Sequence, residues 1–199
     1  MNSHTEKQEL RKKIKSLLTQ NTDTSLYTLD HIFSWPFYQQ ATCILAYVAL
    51  KSELSLTPII ETSMKDGKTV YIPKINTHTN TMEFYRLDNS FPWQKQVTCG
   101  YYGILEPKDN LQIFDYRNFT ELLLFFFPGM AFSLQGDRLG KGKGFYDTYY
   151  QLHMDFLKTQ PHITVGACFD FQIQDTIPKE SHDISVSYLL TPTNLYKCQ

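Results

Sequence analysis

"ELLLFFFPGMAFSLQGDRLGKGKGFYD", residues 121–147, decides the fold. Its first part, Leu122 to Phe127, is an unbroken apolar run ended by Pro128 and Gly129. An apolar run without polar alternation reads as a strand buried on both faces, as in a parallel sheet. A flexible, basic segment follows at once. Residues 128–147 carry five glycines, Arg138, Lys141 and Lys143, and close on Phe145, Tyr146 and Asp147. "FYDTYYQLHMDFLK", residues 145–158, then repeats apolar and aromatic side chains at three-to-four spacing, which predicts a helix. Open α/β sheets place ligands at such a junction, beyond the carboxyl ends of their strands.

The flanking sequence alternates in the same way. Leu10, Ile14, Leu17 and Leu18 predict an amphipathic helix over residues 5–19, after which "NTDTS" breaks the pattern. Residues 25–33 suit a short helix stopped near Pro36. "ATCILAYVAL" reads as a buried strand. "TPIIETSMKDG" reads as a helix with Thr57 as N-cap, Pro58 in its first turn and Gly67 at its end. "KTVYIP" and "MEFYRL" read as strands around the turn "NTHTN", and residues 88–118 as an irregular excursion over the sheet. "HITVGACF" and "SVSYLLTP" supply further strands. The expectation is one α/β domain over residues 1–199, a layered sheet with helices on both faces.

The bulk numbers narrow the function classes. The 199 residues are 42% hydrophobic and 15% aromatic, enough for a core and for aromatic pocket walls. A formal charge of -1 excludes a chain-wide basic field for nucleic acid. Cys43, Cys99, Cys168 and Cys198 are far apart and show no metal spacing, which suits reduced thiols in a cytoplasm. No secretion signal is read at the N-terminus, no run is long enough for a membrane span, and a monomer is expected.

The glycine loop carries the chemistry. Gly140, Gly142 and Gly144 alternate with Lys141 and Lys143, so backbone N–H groups can approach an anion without Cβ obstruction. The next helix adds its positive N-terminal end. The spacing is neither a Walker A loop nor a dinucleotide fingerprint. On composition alone it also fits a mobile solvated turn. Asp147, one turn into the helix, is placed either to hold magnesium beside phosphates or to stabilise the first helical turn.

"PGMAFSLQGDRLGKGKGFYD" resembles the signature of the 5-formyltetrahydrofolate cyclo-ligase family, and the resemblance extends over almost the whole chain. "KQELRKKIK" is similar to the family's opening helix, "AYVALKSELSLTPII" to its substrate-binding strand and helix, and "VYIPKI" with "MEFYRL" to its paired segments. "YYGILEP" and "QDTIPKESHDISVSYLLTP" are similar to its later motifs. Two positions depart: Ser133 and Ser187 stand where the pattern carries aspartates, the second a proposed magnesium contact.

The resemblance implies a three-layer sandwich of the NagB/RpiA/CoA-transferase-like kind, with a mostly parallel, mixed sheet. It implies an enzyme that uses ATP and magnesium to convert 5-formyltetrahydrofolate to 5,10-methenyltetrahydrofolate. Lys7, Arg11, Arg138, Leu139 and the run Gly140, Lys141, Gly142, Lys143, Gly144, Phe145 and Tyr146 would bind the nucleotide. Lys141, Lys143 and Tyr146 would act in the reaction, Asp147 would take magnesium, and Val48 and Glu53 would hold the folate. A nucleotide- or folate-binding module without turnover, or another phosphoryl-transfer enzyme on the same fold, are the alternatives. His182 and Asp183 suggest a dyad, but no nucleophile motif accompanies them, and a turn or structural hydrogen bond is the reading taken.

Overall fold

The computed structural model describes residues 3–20, 27–100, 103–181 and 183–199. Its centre is the expected strand. β6 (Leu123–Pro128) has five consecutive buried residues, Leu123 to Phe127. It lies fourth in a seven-stranded sheet. Parallel partners flank it: β1 (Cys43–Leu45) on one side and β9 (His162–Ala167) on the other. β2 (Thr69–Asn76) runs parallel to β1, and β10 (Tyr188–Leu190) parallel to β9. Antiparallel strands close both edges, β3 (Thr81–Arg86) beside β2 and β11 (Leu195–Lys197) beside β10.

Side chains of β6 alternate between two cores. Leu124 and Phe126 pack with Ile44 under α2 (Pro36–Gln40) and α3 (Thr57–Lys65), where Tyr38, Ile59 and Ile60 meet them. Leu123, Phe125 and Phe127 face α4 (Phe145–Leu152) and α5 (Met154–Leu157) through Tyr149 and Leu157. Each fully buried Leu or Phe contributes about 1.5–3 kcal/mol, so this strand anchors both layers. A smaller cluster joins Ile14 of α1 (Ser3–Gln20) to Met130, Leu139 and Ile177.

Several expectations shift. Pro36 opens α2 rather than stopping a helix, because its missing N–H costs nothing at a first turn. Among the described residues of 25–33, the helical structure is the start of the 3-10 turn Asp30–Ser34. β1 ends at Leu45, and in the irregular segment beyond it the Tyr47 hydroxyl donates to the Leu54 carbonyl at 2.7 Å. The N-cap of α3 is Leu56, not Thr57, which is already helical. The helix expected over 145–158 breaks at His153, which caps both α4 and α5. The 88–118 excursion contains a hairpin, β4 (Val97–Cys99) with β5 (Leu105–Pro107), and β5 packs on β2. "NTDTS" lies outside the described residues. Among those residues no helix is long and apolar enough to cross a membrane.

Candidate active site

β2 lies on one side of β1 and β6 on the other, so the strand order reverses at β1. A crevice opens there, beyond the carboxyl ends of β1 and β6, where doubly wound sheets bind ligands. It holds a cavity of about 330 Å³. Tyr47, Val48 and Glu53 reach it from the segment after β1, and Pro128 and Gly129 from the end of β6. Arg138, Gly140, Lys141, Lys143, Gly144, Phe145, Tyr146 and Asp147 line it from the glycine loop and the start of α4.

The loop is rooted in a small hairpin, β7 (Ala131–Phe132) with β8 (Arg138–Leu139). Phe132 is fully buried and fills space left by two glycines, since a Cβ on either Gly129 or Gly166 would overlap its ring. The loop's tip differs in character. Gly142 and Gly144 adopt φ of 92° and 73°, left-handed values that favour glycine, and Gly144 is the N-cap of α4. Lys141, Gly142 and Lys143 are exposed.

The charged side chains are largely paired. Glu53 accepts the Leu50 N–H at 2.8 Å, and Lys141 Nζ lies 2.7 Å from its other oxygen. Arg138 is buried, donating to Asp147 at 2.7 Å and to the Pro128 carbonyl at 2.9 Å. Asp147 also accepts the Ile184 N–H at 3.3 Å. Lys143 forms no ion pair among the described residues. Burial, and then the charge of Glu53, push the Tyr146 phenol well above its ordinary range, and Tyr47 responds in the same way. Both stay protonated and can donate.

Three residues named from the sequence lie outside this cavity. Lys7 is buried and its amine meets Glu180 at 3.1 Å and Asp183 at 2.6 Å. Burial alone would lower its pKa, but these two hydrogen-bonded carboxylates outweigh that and raise it. Arg11 donates from Nε to the Gly140 carbonyl at 2.9 Å and lies beside Gly142, so it braces the loop from behind. The Leu139 side chain is core, packed with Ile14. Ser133 and Ser187 also lie away from the cavity. The first bonds with Asp137 and the second with Thr164. Asp183, from the suggested dyad, serves Lys7 and the Glu180 N–H, while His182, Tyr101 and Tyr102 lie outside the described residues.

Sequence reasoning misses Glu106 and Ile104, which line the cavity from the β4–β5 hairpin. The motif "YYGILEP" contains both, but nothing in its local pattern says that the excursion folds back over β2. Pro73, Ile75 and Met82 complete that wall from β2 and β3.

This is an α/β enzyme whose ligand cavity sits at a strand-order switch and pairs a basic glycine loop with facing carboxylates. Comparison with known proteins gives the family. The model of the 5-formyltetrahydrofolate cyclo-ligase family matches residues 3–192. A mouse 5-formyltetrahydrofolate cyclo-ligase is 28% identical over 183 residues, 92% of this chain and 89% of its own. The Escherichia coli K12 protein of that name is 30% identical over 166 residues, covering 83% and 86%. The NMR structure of Aquifex aeolicus 5,10-methenyltetrahydrofolate synthetase superposes with a TM-score of 0.71 at 29% identity, over 97% of this chain and 93% of that one. The chain belongs to the 5-formyltetrahydrofolate cyclo-ligase family and is a ligase.

Proposed function

We propose that this chain converts 5-formyltetrahydrofolate to 5,10-methenyltetrahydrofolate with ATP and magnesium, releasing ADP and phosphate. One observation carries the reading: Glu53 and the glycine loop share one cavity, with Lys141 reaching from the loop to Glu53. A volume of about 330 Å³ suits a bicyclic head group and leaves a longer tail outside.

The formyl oxygen is a poor leaving group. Transfer of the γ-phosphoryl group to it makes a phosphate ester that can leave. N10 of the same folate then attacks the formyl carbon, loses its proton, and phosphate departs as the five-membered ring closes. The protein's work is positioning and charge neutralisation. Backbone N–H groups of Gly140, Gly142 and Gly144 and the amines of Lys141 and Lys143 receive the phosphates. Arg138 orients Asp147, and Arg11 braces the loop. Tyr146 donates from its protonated phenol towards the transferring group, beside Phe145. Glu53 takes the amino and ring N–H edge of the pterin, with Val48 against its face.

Magnesium fits through Asp147 alone. Among the described residues no three His, Cys, Asp or Glu side chains are placed to hold one metal ion together. Magnesium usually binds through one or two carboxylates plus substrate phosphates. Bound there, it would neutralise charge on the phosphates. The four free cysteines support a reducing cytoplasm, and we propose a monomer that needs no nucleic acid or membrane.

The test is absorbance of the methenyl product with 5-formyltetrahydrofolate and magnesium, with and without ATP. An ATP-dependent rise is expected, and Lys143→Ala should abolish it while circular dichroism is unchanged. Ligand binding with no product would instead identify a binding module.

A further inference from the structure

Three carboxylates line the cavity, and they are not equivalent. Glu53 holds Leu50 and Lys141, and Asp147 holds Arg138 and Ile184. Glu106 holds nothing comparable. It is the middle residue of β5, 6% exposed, and its Oε1 is buried with no hydrogen-bond partner. It forms no ion pair among the described residues. Burying an acceptor without a donor forfeits its hydration outright. The chain nevertheless shapes itself around this group: a Cβ at Gly100 would overlap the Glu106 carboxyl.

The surroundings define what would satisfy it. Pro73, Ile75, Met82 and Ile104 share its wall of the cavity, a surface suited to a flat ring. A carboxylate accepts hydrogen bonds and donates none. It therefore repels phosphates and ligand carboxylates, which belong on the lysine side, and selects a ring-edge N–H.

We infer that Glu106 accepts a hydrogen bond from the pterin N8–H, which reduced folates carry and fully oxidised folate lacks. Glu106 is thus a specificity-determining residue for the reduced ring, separate from the donor edge taken by Glu53. The inference rests on the folate reading above. In oxidised folate N8 presents a lone pair instead, so the carboxylate meets an acceptor and the mismatch is penalised.

The experiment compares 7,8-dihydrofolate with folic acid by titration calorimetry, since these two share an unformylated N5 and differ at N8–H. The wild-type protein should prefer dihydrofolate. Glu106→Ala should shrink that preference about tenfold or more. Glu106→Gln, which keeps one acceptor, should recover part of it. Gly100→Ala should act like Glu106→Ala by displacing the carboxyl. Binding of a non-hydrolysable ATP analogue should stay within about twofold throughout, as the control for an intact fold. An unchanged preference in Glu106→Ala, or an equal loss for both ligands, overturns the inference. If wild-type protein turns over 5-formyltetrahydrofolate while the variants keep the preference, only this inference fails. If it binds no folate at all, the functional reading fails and takes the inference with it.

Discussion

Lys141 Nζ lies 2.7 Å from Glu53 Oε1, so a cation proposed for phosphate and a carboxylate proposed for pterin neutralise each other across the cavity. Each ligand must take one member of this pair. Whichever binds first breaks it and leaves the other member free for the second ligand.

Binding of the two substrates should therefore be cooperative. A saturating non-hydrolysable ATP analogue should tighten 5-formyltetrahydrofolate about fivefold or more, within the usual range of coupling between sites. Lys141→Met should remove the enhancement, because Glu53 is then already free. Calorimetric titrations with and without the analogue check this, and independent binding in the wild type would make the pair incidental.

Arg138 is a structural cation as well as a cavity residue. Its side chain is 3% exposed and serves both Asp147 and the Pro128 carbonyl. Arg138→Met leaves a part-buried carboxylate unpaired and should cost about 3 kcal/mol in urea unfolding. Asp147→Asn keeps an acceptor for the guanidinium and should lose less stability while losing turnover.

The seat of Phe132 gives a packing test. Gly166→Ala would push a methyl into the Phe132 ring and the Leu189 side chain. Overpacking of this kind costs about 1–3 kcal/mol. Adding Phe132→Leu should recover part of the loss in the same unfolding assay, whereas no loss in the single variant would mean that the hairpin shifts freely.

His153 sets an acid-side dependence. Burial holds its pKa below the ordinary 6.5, against the rings of Tyr116 and Tyr149. As pH falls through 6.5 the unfolded chain takes up the proton first, so stability drops from there down to the folded-state pKa. His153→Gln should flatten that part of the curve. Urea midpoints between pH 7.5 and about 5.5 would show it.

The central strand was readable because Leu122 to Phe127 offers no polar face and is a short run ended by Pro128 and Gly129, which suits a strand buried on both sides. The glycine loop and its lysines were readable from order and charge. Pro36 was misread because proline breaks a helix only after its first turn. β7 and β8 are two-residue strands, held by pairing across the loop rather than by any local propensity. Glu106 looks like one more acidic residue in sequence. Its setting arises from Gly100 across the β4–β5 hairpin and from β2, some thirty residues earlier, and neither contact shows in the local pattern. Lys7 shows the opposite limit: a helix-face lysine reads as solvated or ligand-facing, and its acidic partners lie 173 and 176 residues away.

That separation has a consequence for synthesis. In synthesis α1 leaves the ribosome well before Glu180 and Asp183, which lie 173 and 176 residues beyond Lys7. Until they appear, Lys7 has no acidic partner, and α1 lacks Ile177, the distal member of its apolar seat. The brace that Arg11 gives to Gly140 waits with it. A nascent chain can pair β1, β2, β3, β6 and β9 beforehand, yet β10, β11 and the bracing of its glycine loop wait for this later stretch.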